Sequence, residues 1–91
     1  MEHYVIIAKS VNITEAGDEV LEDKSVLAVK HTVEDALDVI EAVRASYEVD
    51  EFIVEDGENN QENGEIVITN SDRDPSFNIY IYFEVVENEE Y

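Results

Sequence analysis

The stretch Ser76–Glu87, S-F-N-I-Y-I-Y-F-E-V-V-E, constrains this chain more than any other. Phe77, Ile79, Ile81, Phe83 and Val85 share one parity, and Asn78, Tyr80, Tyr82, Glu84 and Val86 share the other, the period-two pattern of a strand with one buried face. On a helix, at 100° per residue, those five apolar side chains would scatter around the axis. β-Branched and aromatic residues also pack better on a pleated surface. The core must therefore be built against this strand.

The preceding segments supply what packs there. His3–Val11 reads as a strand that is apolar on both parities, and so interior to a sheet. Asn12–Lys24 reads as a polar connection around Gly17, with a helical turn over Asp18–Asp23 as the alternative, and Ser25–His31 as a second strand. The acidic stretch would then be a long hairpin loop. Thr32 is placed to cap a helix whose first turn carries Glu34 and Asp35. Val33, Ala36, Leu37, Ile40, Val43 and Tyr47 recur at helical spacing through Ser46 or Glu48. Glu51–Glu55 and Gly64–Asn70 are two further short strands. Between them D-G-E-N-N-Q-E-N-G lacks an apolar anchor and predicts a hairpin with a mobile acidic tip. A turn at S-D-R-D-P follows, where Pro75 would interrupt the ladder. The expected fold is α+β: one domain over residues 1–91, with a single-layer antiparallel or mixed sheet of about five strands in the order ββαβββ and one helix on a face.

Charge limits function. The chain has 24 Asp and Glu against 5 Lys and Arg, a formal net charge of −19. Such a balance alone suggests disorder, but 44% apolar residues in periodic segments are enough to bury a core. Solubility asks for a net charge of only about 2–8 in a small domain, so the excess calls for a function. The field repels nucleic acid and anionic membrane, and attracts basic protein surfaces or cations. Direct nucleic-acid binding is excluded because it relies on Lys and Arg at the phosphates. With no cysteine there is no disulfide or thiolate site. The first residues, M-E-H-Y-V-I-I-A-K, lack the basic region and long apolar run of a signal peptide, and no apolar run approaches the ~20 residues of a membrane span, so a soluble cytoplasmic protein is expected.

Candidate sites thin out on inspection. Asp56, Glu58 and Asn60 approach a calcium loop, but Gln61 stands where glycine is needed and Val67 where a bidentate glutamate is needed. No metal or cofactor is expected. The histidines, His3 and His31, each sit at a strand end, and no nucleophile motif or glycine-rich phosphate loop is present. An enzyme is not expected. Tyr80 and Tyr82, on the second parity of the last strand, either cover the sheet's other face or anchor a protein interface. Self-repulsion favours a monomer, with a homodimer seam along these tyrosines as the alternative.

The runs E-A-G-D-E-V-L-E-D, E-V-D-E-F-I-V-E-D-G-E and E-V-V-E-N-E-E-Y spread carboxylates over every predicted element. In size and charge, over its whole length, the chain resembles small acidic, cysteine-free phage proteins that mimic DNA, such as anti-CRISPR proteins and inhibitors of restriction or repair enzymes. The resemblance implies a stoichiometric inhibitor acting in the host cytoplasm, without turnover or cofactor. It would block the basic DNA-binding groove of a nuclease or effector complex, because Lys and Arg bind carboxylate and phosphate with similar geometry. The expected decoys are Glu34, Asp38 and Glu41 of the helix, Glu55, Asp56, Glu58, Glu62 and Glu65 of the hairpin, and Asp72 and Asp74 of the turn, with Tyr80 and Tyr82 as further contacts. An antidote to a basic nuclease toxin uses the same electrostatics. Salt adaptation is the third reading. It is disfavoured because Glu outnumbers Asp 16 to 8 and Ile plus Asn total 16 against 6 Ala.

Overall fold

The computed structural model describes residues 2–70 and 74–87, with the side chains of residues 70 and 74–76 outside that description. Seven elements follow in order: β1 (Glu2–Ile13), β2 (Glu19–Lys30), α1 (Val33–Val49), β3 (Ile53–Asp56), α2 (Asn60–Asn63), β4 (Ile66–Asn70) and β5 (Asp74–Glu87). The strands form one antiparallel sheet in the order β2-β1-β5-β4-β3. The fold is thus a small α+β protein with α1 on one face, as the sequence suggests. The chain order, however, is ββαβαββ rather than ββαβββ, because a helical turn forms between β3 and β4.

The last strand is central, between β1 and β4, and its buried parity faces the helix. Ile6 lies opposite Phe83, Ala8 opposite Ile81, Ile66 opposite Ile81 and Ile68 opposite Ile79. These rows meet Ala36 and Ile40 of α1 in a single core, with Val39, Val43 and Tyr47 packed at its margin. Thr32 caps the helix as expected, its Oγ1 accepting from the Asp35 N–H at 3.1 Å. Tyr47 then packs edge-on against Phe52, with 5.2 Å between centroids, and fixes the chain's exit from the helix.

Three sequence expectations are corrected. The acidic connection after β1 is a tight turn, not a long loop or a helical turn: Gly17, at φ +88°, donates to the Thr14 carbonyl at 2.9 Å, and the Asp18 N–H reaches the Thr14 hydroxyl at 3.2 Å. Val20 and Leu21 therefore join the ladder and lengthen β2 to 12 residues. Leu27 and Glu22 are the extra residues at its two bulges, where the partners of Ile6 and Ile7 are Ala28 and Val26, and those of Ser10 and Val11 are Asp23 and Leu21. Second, the polar tip between β3 and β4 is a hydrogen-bonded turn. Asn60 Nδ2 donates to the Glu65 carbonyl at 2.9 Å, and the Glu65 N–H donates to Asn63 Oδ1 at 3.1 Å. Third, Pro75 lies inside β5. The partners of Thr69 and Asn70 jump from Asn78 to Asp74 there, the kind of ladder irregularity at which proline is tolerated.

Gly64 locks α2 onto the core. Its φ is +68°, and a Cβ added there would stand 2.7 Å from Leu37 Cδ2 and 3.0 Å from Ile40 Cδ1. Gly64→Val is therefore expected to lower unfolding free energy by about 2–5 kcal/mol in urea titrations, combining left-handed strain of about 1–2 kcal/mol with overpacking of about 1–3 kcal/mol.

Candidate functional site

The sheet divides the acidic residues into two displays. Glu34, Asp38 and Glu41 are exposed on α1, on the side turned away from Ala36 and Ile40. Glu62 is exposed on α2 and Glu58 in the loop before it. Asp56 shares the helix-side parity of its partner Ile66 and forms an ion pair with Arg44, whose Nε also stands 3.8 Å from Glu41. Asp56 is thus a partly neutralised structural group, unlike its neighbours. Asp72 lies outside the described residues, and Asp74 is the first residue of β5, with its side chain outside them.

Glu55, Glu65, Tyr80 and Tyr82 instead meet on the sheet's other face, which no helix or strand covers among the described residues. Cross-strand partners share a face, so the register defines one row across all five strands: Lys24, Lys9, Tyr80, Val67, Glu55. The next row runs Val26, Ile7, Tyr82, with Glu65 just before β4 completing it. Ile7 and Val11 are only 4% and 3% exposed here, although no layer lies above them. Their cross-strand neighbours on this face are Val26 and Tyr82 for Ile7, and Leu21 and Asn78 for Val11. Val26, Leu21 and Val29 remain largely exposed.

Lys9 is the centre of this face. Its ammonium stands 5.2 Å from the Tyr80 ring centroid and 6.0 Å from that of Tyr82, within cation–π range. The Tyr80 hydroxyl donates to Glu19 Oε1 at 3.0 Å. Lys9, Tyr80, Val67, Glu19, Glu58 and Glu65 line a hollow of about 410 Å³. Burial pushes the Tyr80 phenol above the ordinary 10.0, helped by the bond to Glu19 and opposed by one to Asn78. Tyr82 is raised by burial and by the charges of Glu84 and Glu65. A raised phenol keeps its proton longer in the folded chain than in the unfolded one, so these tyrosines stabilise the fold below pH 10. That contribution is expected to fade as pH rises through 10 and above, which urea titrations at stepped alkaline pH would register as a falling midpoint.

Lys9, Lys24 and Glu19 are site residues that sequence reasoning passes over. Lys9 interrupts an otherwise apolar strand, a visible signal, but its neighbours depend on register. Among the described residues no group of three or more His, Cys, Asp or Glu side chains could hold a metal ion. The His3 and His31 rings meet edge-on, with 5.0 Å between centroids. No helix among the described residues is long and apolar enough to cross a membrane.

Fold and site together define a two-layer α+β protein with carboxylates on its helix side and an uncovered, tyrosine-centred sheet face. Comparison with protein-family models, with curated proteins and with solved structures gives no match.

Proposed function

We propose that this protein is a stoichiometric inhibitor that presents carboxylates in place of DNA phosphates and occupies the basic groove of a nuclease or effector complex in the host cytoplasm, in the manner of anti-CRISPR and anti-restriction proteins. The observation that carries the reading is the deployment of the charge. Among the described residues only Glu41 and Asp56 form ion pairs, both with Arg44. Every described carboxylate except Glu65 belongs to an exposed residue. The molecule is 43 Å long. Duplex DNA of that length carries about 25 phosphates, at one per ~1.7 Å of axis, and the chain carries 24 carboxylates. Folding gains nothing from so many unpaired like charges, whereas a groove lined with Lys and Arg would.

The test is the DNA affinity of a panel of nucleases and repressors with and without the protein, at physiological and raised salt. Loss of DNA binding that salt relieves is the expected result, because screened pairs weaken together. Loss of cleavage with DNA still bound would instead favour the antidote reading, in which the catalytic centre is covered. A panel in which neither binding nor cleavage responds would remove the proposal's support.

A further inference from the structure

We infer that the protein forms a homodimer by packing the open faces of two sheets, with the twofold axis along β5. Within one chain Lys9 meets the Tyr80 and Tyr82 rings, but among the described residues Lys24 forms no ion pair. Lys9 and Lys24 are direct cross-strand partners on the open face. Like charges in that position destabilise a ladder, and the chain has only 5 basic residues to place. A second copy explains them. The row Lys24, Lys9, Tyr80, Val67, Glu55 is basic at one end, acidic at the other and aromatic in the middle. Rotation about an axis parallel to the strands at β5 sets Lys24 over Glu55 of the other copy, Lys9 near Val67 and Glu65, and Tyr80 over its own equivalent.

Part of the apolar surface fits the same arrangement: the row Leu21, Val11, Asn78, Thr69, Ile53 ends in two exposed apolar residues that the axis sets over one another, whereas Val26 meets the row of Glu65 and Val29 lies beyond β3 and β4. Val26, Leu21 and Val29 are 61%, 56% and 50% exposed. All three lie opposite open-face residues of β1: Ile7, Val11 and Val5. Sheets that pack face to face keep their strands within ~30° of one another and bury such residues in a layer ~10 Å thick. With β2 set over the four residues of β3, β1 over the five of β4 and β5 over itself, strands ~4.8 Å apart at ~3.3 Å per residue overlap over about 500 Å². Two such faces bury about 1,000 Å², the threshold for a specific interface. A twofold axis makes this contact closed, so association stops at the dimer.

In the dimer both α1 helices point outward, with Glu34, Asp38 and Glu41 on each outer surface, while Glu55 and Glu65 are taken into the seam. The inference does not depend on the inhibitor reading, since mass is measured without any target. Sedimentation equilibrium at about 0.15 M salt, where a Debye length of ~8 Å damps repulsion between the two acidic bodies, is expected to show the mass rise from 10.4 kDa to twice that with concentration. Glu55→Lys/Glu65→Lys is expected to stay monomeric even though it lowers the net negative charge. Lys9→Glu/Lys24→Glu is also expected to stay monomeric. Mixing the two variants pairs a basic face with an acidic one and should restore the doubled mass. A wild-type chain that keeps the single-chain mass up to near-millimolar concentration would overturn the inference, as would folded variants that fail to associate when mixed.

Discussion

Ile81→Ala is expected to lower the free energy of unfolding by about 3–4 kcal/mol, within the range of about 2–5 kcal/mol for Ile-to-Ala changes in cores. Ile81 is 1% exposed at the middle of the central strand, flanked by Ala8 on β1 and Ile66 on β4, with α1 above. Truncation leaves a cavity at the junction of three strands and the helix, and two of the strands that would have to close it are held by ladders on both sides. Domains of this size are stable by only about 5–15 kcal/mol, so the loss is a large share. The same strand provides the control: Glu84→Ala, on the open parity and exposed in the single chain, should stay within about 0.5 kcal/mol of wild type when both are measured at a dilution that keeps the chain monomeric. Chemical denaturation of both variants measures the contrast. Equal losses would mean that the two faces of β5 are not buried and open as described.

Replacing the α1 carboxylates, Glu34→Lys/Asp38→Lys/Glu41→Gln, with glutamine at the last because Glu41 stands beside Arg44, is expected to weaken inhibition of a responsive nuclease by about a hundredfold, with far-UV circular dichroism unchanged. At about 1 kcal/mol for each exposed contact, three lost contacts amount to about 3 kcal/mol, and each tenfold change in affinity takes 1.4 kcal/mol. The hairpin group, Glu55, Glu58, Glu62 and Glu65, should be reversed in a separate variant, because the sheet places Glu55 and Glu65 on the opposite side of the molecule from α1. Asp56 should be left alone. A lysine there would face Arg44, and any loss of activity would then report on the fold and not on docking. If both groups are reversed together, along with Asp72 and Asp74, and inhibition persists, charge mimicry is wrong. If only the α1 set matters, the helix side docks, which agrees with a dimer that hides the other face.

Several features were legible in the residues because the forces that set them are local. The alternation of Phe77, Ile79, Ile81 and Phe83 specifies a one-sided strand wherever it pairs, and the helix starts where Thr32 offers its hydroxyl to the Asp35 N–H. The parity of Tyr80 and Tyr82 likewise put them on the second face before any neighbour was known. Polar stretches were read less well. Val20 and Leu21 looked like isolated apolar residues in an acidic loop, and became strand because β1 is long enough to pair with them. The loop before Gly64 lacked apolar residues, but asparagine side chains supply the hydrogen bonds that order it.

The sequence by itself determined the strand faces, the helix and its cap, and a charge too large for solubility alone to require. Only the tertiary structure decided which charges are neighbours. Asp56 turns to Arg44 while the adjacent Glu55 turns to the open face, because one residue of register separates the two sides of a strand. Lys24 meets Lys9, and Lys9 meets Tyr80, because a tight turn and two bulges fix how β2 lies along β1, and because the first and last strands pair at the centre of the sheet. Those pairings join residues far apart in the chain. Local propensity does not encode them; they follow from burying the apolar parity of β5 against β1, β4 and α1 at once.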